Sequence, residues 1–187
     1  QRPPEWDRQD FQHTQLVGWM IFGLSKFVGF KPYAGRMLMI GLVVGTALVA
    51  YAMTKELVGG EAALVAYILY LFLPISMKFS YHVQLDQAMT FLLCLGLLFL
   101  IRYYRSEGLC HLLGAGVAFS LAILVKLNAA VFSIALSAVA LFWVFSGRKE
   151  TRSCLLILIV AVLSIVPMLV WMWFMSSTFS VDVTSEI

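Results

Sequence analysis

From residue 34 onward the chain alternates long apolar runs with short polar breaks. The runs are Gly35–Met53, Ala62–Met77, Leu85–Ile101, Leu109–Val125, Ala129–Phe145 and Cys154–Met175. A helix needs about 17 or more such residues to cross a hydrocarbon core of ~30 Å, and several of these runs are near that lower limit. Backbone groups inside lipid find no partner but each other, so crossing segments of this kind must be helical. Pro74 and Pro167 lie in two of the runs and predict kinks there. Ahead of them, residues 1–15 are polar. The stretch "LVGWMIFGLSKFVGFKPY" is aromatic, short and interrupted by Lys26 and Lys31. That pattern predicts a helix lying along the membrane surface rather than a span.

Composition narrows the class. With 61% hydrophobic and only 12% charged residues among 187, the chain carries more apolar surface than a soluble domain of this length can bury. The expected fold is an all-α membrane protein of about six transmembrane helices plus an N-terminal interfacial helix. Residues 1–33 form an outer loop, 34–175 the membrane region and 176–187 a tail or the start of another loop. No basic stripe interleaved with aromatics is present, so nucleic acid is not an expected partner. Cys94, Cys110 and Cys154 fall in three different runs without a CxxC pair, which predicts buried, reduced thiols. The chain opens at Gln1 without a signal-peptide pattern, which suggests a fragment or a processed chain.

Charge supplies the orientation. The breaks Thr54–Glu61, Arg102–Gly108 and Ser146–Ser153 carry Lys55, Arg102, Arg105, Arg148, Lys149 and Arg152, whereas the intervening short breaks carry only Lys78 and Lys126. The positive-inside rule therefore puts His82, Asp86, Lys126 and the N-terminal segment on the outer side. The "GLVVG" of Gly41–Gly45 allows close helix packing but identifies nothing.

The charges at run boundaries are the candidate chemistry. Asp86 opens one run, where helix N–H groups favour a carboxylate, and Lys126 closes another, where a cation is favoured. Anchoring at the interface accounts for each alone. Charge at membrane depth is costly, however, and two opposite charges on one side of adjacent hairpins suit an anionic headgroup and a group that orients it. His13 and His82 are candidate metal or acceptor contacts, although a solvated side chain is the ordinary reading of a histidine in such a loop. His111, on the inner side, is the weakest candidate.

The order of these features resembles the GT-C family of polyprenyl-phosphate-sugar glycosyltransferases, in the branch holding protein O-mannosyltransferases and bacterial aminoarabinose transferases. An Arg opening a helix (Arg36), a turn "GEAAL" through Gly60–Leu64, a Pro closing the second helix (Pro74) and a "Y…D" stretch (Tyr81, Asp86) carry the likeness. Two helices on, the family's "T-K-G" turn reads "LVKLN", which keeps Lys126. Upstream, "RPPEWDRQDFQHTQ" is similar in kind to the family's His- and Pro-bearing entry to a surface helix.

The resemblance implies transfer of a sugar from a polyprenyl phosphate to a lipid, glycan or protein acceptor on the non-cytoplasmic side. It implies a bacterial cytoplasmic membrane, or the endoplasmic reticulum of a eukaryote. Lys126, helped by Arg36, is the expected phosphate contact, and Asp86 a structural acid of the cavity. The family's main catalytic acid belongs to a "D-E" motif that falls before Gln1. Asp7 and Asp10 are the nearest acids in the same loop, and the chain is expected to be an incomplete piece of the enzyme. The cofactor is open, a divalent metal being one option. The competing class is a transporter or channel fragment with Asp86 and Lys126 paired on a substrate path; no internal repeat supports it.

Overall fold

The computed structural model describes residues 16–28, 33–76, 84–145 and 151–179. Among them lie eight helices of 13 residues or more: α1 Leu16–Val28, α2 Tyr33–Leu57, α3 Gly60–Phe72, α4 Leu85–Ser106, α5 Leu109–Val125, α6 Ala129–Phe145, α7 Thr151–Leu163 and α8 Val166–Phe179. No strand occurs among the described residues. Each apolar run has become a helix, the last one shared between α7 and α8. The chain is an all-α membrane protein. Three segments, Ala34–Leu57, Leu85–Ser106 and Ser153–Phe174, are long and apolar enough to cross a bilayer by themselves. Helices α5 and α6, at 17 residues each, rise roughly 25 Å and so approach the same span.

Prolines set two boundaries. Helix α3 stops at Phe72, short of the expected Met77, because Leu73 precedes Pro74. The proline ring excludes the helical conformation from its predecessor, and Leu73 sits at φ −60, ψ 129. In the last run Pro167 has no N–H to offer the Leu163 carbonyl. The ladder tightens there to a three-residue step from Ile165 N–H to Val162 O (3.2 Å), and α7 and α8 meet at a bend over residues 164 and 165. Gly59 serves the turn between α2 and α3 with φ +136, a conformation that side chains disfavour.

Helices α2, α4 and α5 pack closely in sequence of contact. At the α4–α5 seam Gly96 lies against the Phe119 ring, so near that a Cβ on Gly96 would meet Phe119 Cε1 at 2.5 Å. At the α2–α4 seam Gly45 faces Phe91 in the same way, while Gly41 faces open space. The small-xxx-small pattern thus works through one glycine. Many large apolar side chains stay exposed, among them Leu113, Val131, Phe142 and Trp173. On a lipid-facing surface that exposure is the favourable state, since acyl chains are as apolar as leucine.

Helix α1 docks on this bundle through one face. Val17 is buried in a cluster with Met39, Leu42, Ala88 and Val125, whereas Trp19 and Phe27 are exposed. Of the basic residues expected in connecting loops, Lys55 and Arg105 lie in the last turns of α2 and α4, and Arg102 lies within α4 just before its last turn. Of the cysteines, which form no disulfide among the described residues, Cys154 is buried, Cys94 half-buried and Cys110 exposed. The expectation of uniform burial fails at Cys110, on the first turn of α5.

Candidate functional site

Asp86 stands in the first turn of α4, after an extended Gln84 whose side chain makes no capping bond. The four leading N–H groups of a helix lack internal partners, so a carboxylate there is held by their partial charge. Lys126 is the residue at which α5 ends: its backbone is extended (φ −152, ψ 123) while its N–H still donates to Ala122 O. The two helix ends lie side by side. Lys126 Nζ donates to Asp86 Oδ1 at 2.6 Å, forty residues away in sequence.

This pair is neither buried nor fully solvated. The Lys126 side chain is 24% exposed and that of Asp86 42%. An ammonium so placed is fixed in direction by its carboxylate but keeps an open side, and an anion arriving from that side finds a positive charge already oriented. The surroundings are apolar: Val125 and Ala88, the neighbours of the two charged residues, are buried against Met39, Leu42 and the Val17 face of α1. Low polarity strengthens electrostatic interactions with whatever binds there.

A second polar element holds α4 at this level. Gln87 is 1% exposed, and its Nε2 donates to Thr46 Oγ1 (3.0 Å) on α2 and to Tyr70 Oη (3.4 Å) on α3. The Thr46 hydroxyl donates to Leu42 O at 2.7 Å, which leaves its oxygen free to accept. One amide therefore ties three helices together beside Asp86. Sequence reasoning missed Gln87 because a neutral amide in a run headed by a charge attracts no notice. Its signal was a polar side chain one residue beyond Asp86, hence on another helix face.

Arg36 lies on the first turn of α2, at the same end of the bundle, and is exposed. Met39, three residues or roughly 4.5 Å further along α2, shares a buried cluster with Ala88 and Val125, which lie beside the ion pair in sequence. Arg36 is not in contact with either member. Asp7, Asp10, His13 and His82 lie outside the described residues. Among the described residues no three His, Cys, Asp or Glu side chains gather as a metal site. His111 stacks on Phe99 with ring centres 6.4 Å apart.

An all-helical membrane protein with a charged pair recessed at joined helix ends is compatible with a membrane transferase and with a transporter; family membership separates them. The family model described as dolichyl-phosphate-mannose-protein mannosyltransferase matches residues 12–173. The chain belongs to that family, which assigns it to the glycosyltransferases of the mannosyltransferase type. No curated protein and no solved structure matches it.

Proposed function

We propose that the protein transfers mannose from a dolichyl- or related polyprenyl-phosphate carrier to a hydroxyl of a protein acceptor, on the non-cytoplasmic side of the membrane. The observation that carries this reading is the Lys126–Asp86 pair at the joined ends of α5 and α4, within a chain matched to the mannosyltransferase family along most of its length. A lipid carrier has its phosphate at the membrane boundary, and its leaving group becomes a phosphate dianion as the glycosidic bond breaks. A cation already oriented at that depth stabilises the developing charge without moving. In this reading Lys126 Nζ takes the phosphate oxygen, Asp86 holds the ammonium in position beforehand, and Gln87 fixes the α4 turn that carries Asp86. Arg36, exposed at the same end of the bundle, would meet the carrier's headgroup on approach.

Attack by the acceptor hydroxyl requires a base to take its proton. Asp7 and Asp10 are the acids of this chain proposed for that outer loop. The test of the donor is direct: membranes containing the protein are given dolichyl-phosphate mannose or a nucleotide-linked mannose with an acceptor peptide. Transfer from the dolichyl-linked sugar is expected, and transfer from the nucleotide sugar alone would refute the proposal.

A further inference from the structure

The opposite end of α4 carries a second feature. Nineteen residues beyond Asp86, a rise of roughly 28 Å, Arg105 borders an apolar groove of about 370 Å³. Leu100 and Ile101 of α4, Leu136, Val139 and Ala140 of α6 and Ile157 of α7 line its length. Helix α4 packs on α2 and α5, and α6 packs chiefly on α7, which leaves the gap between α4 and α6. The volume falls in the range of about 300–1,000 Å³ typical of ligand clefts.

Among the described residues, the bases at the mouth are only partly paired with carboxylates. Glu56 supplies one carboxylate, and Arg102 Nε takes it at 2.8 Å. Arg105 instead donates through Nη2 to the backbone carbonyl of Glu56, an uncharged group. Lys55 lies over the Tyr51 ring, again an uncharged partner. Neither Glu61 nor Glu107, the other described acids at this end, pairs with Arg105. Among the described residues Arg105 thus meets no carboxylate, and its guanidinium sits where the apolar run of a membrane-crossing helix ends, above an apolar slot that runs back along the same helix.

We propose that this groove is a binding site for an anionic phospholipid, with one acyl chain between α4 and α6 and the headgroup phosphate on Arg105. Each half of the groove calls for one half of that molecule. The slot lies at the depth of acyl chains and excludes polar matter; the guanidinium lies at the depth of headgroup phosphates and binds them by paired N–H donors. Basic positions between membrane helices select anionic over zwitterionic headgroups by the same attraction. The site stands apart from the Lys126–Asp86 pair and does not depend on the proposed transfer reaction.

The test is native mass spectrometry of the full chain released from nanodiscs of phosphatidylglycerol and phosphatidylcholine in equal amounts. The wild type should retain phosphatidylglycerol about tenfold over phosphatidylcholine, the worth of ~1.4 kcal/mol. Arg105→Gln, which keeps an amide donor for the Glu56 carbonyl, should bring the ratio near unity, and Arg105→Lys should preserve part of it. Val139→Trp, from a half-exposed position on α6, should fill the slot and lower retention of both lipids. Thermal unfolding of each variant separates lipid loss from misfolding. Equal retention of the two lipids by the wild type would overturn the proposal, as would an unchanged ratio in folded Arg105→Gln. Dissociation of a dimer by Val139→Trp without lipid loss would assign the groove to a second copy of the chain instead.

Discussion

The weight of the site rests on three side chains with different physics. Asp86 and Lys126 are each favoured by the helix end they occupy, so neither needs the other in order to be tolerated. Their contact at 2.6 Å shows that the fold has used both preferences to orient an ammonium. Gln87 has no such local preference; a buried amide is retained only where its hydrogen bonds are made, and Thr46 and Tyr70 make them. Hydrogen bonds of this type between membrane helices are worth about 0.6 kcal/mol on average and up to ~1.7. Gln87→Leu is therefore expected to lower unfolding stability by about 0.6–1.7 kcal/mol, measured in detergent, with the helices still formed. A variant as stable as the wild type would mean that the amide holds nothing in place. The charged residues were legible in the sequence because charge inside an apolar run is costly. Their pairing was only one of two readings, and the amide between them and the neighbouring helices was not legible, since it depends on how far α2 slides along α4.

At the scale of helices, each apolar run of the sequence became helical, three of the resulting segments being long enough to cross a bilayer alone, and prolines marked where two of the runs break. What it could not supply was which face of each helix meets which neighbour. The α4–α5 seam shows why. Gly96 reads as one small residue in "LCLGLLF", yet the buried Phe119 ring comes within 2.5 Å of where its Cβ would be. A methyl group there forces the ring or the backbone to move, and overpacking of this kind costs about 1–3 kcal/mol. Gly96→Ala should be destabilising by that amount, and Phe119→Leu should recover part of the loss in the double variant. Additive effects of the two substitutions would show that the seam does not close on this contact. The same seam places the end of α5 against the start of α4, so a defect at Gly96 is expected to disturb the Lys126–Asp86 alignment as well.

For the whole molecule, the pattern of basic residues leads us to propose that the Lys126–Asp86 end faces the non-cytoplasmic side and the Arg102–Arg105 end the cytoplasm. Labelling with an impermeant thiol reagent in intact cells, on a background lacking the native cysteines, tests this. Ser80→Cys is expected to react and Ser106→Cys to be protected; the reverse would invert the protein. The central claim is that Lys126 contacts the phosphate of the carrier lipid. A charge-assisted contact is worth about 1.5–3 kcal/mol, and each ~1.4 kcal/mol is tenfold in affinity. The measurement that tests it most directly is the affinity of the reconstituted protein for dolichyl-phosphate mannose, with folding checked by thermal unfolding. Lys126→Ala should weaken binding about ten- to a hundredfold and Lys126→Arg less, since the charge survives while its geometry changes. Asp86→Asn, which leaves the ammonium in place, should weaken binding less than Lys126→Ala. Unchanged affinity in a well-folded Lys126→Ala protein would contradict the claim and leave the lysine as an anchor at the membrane boundary.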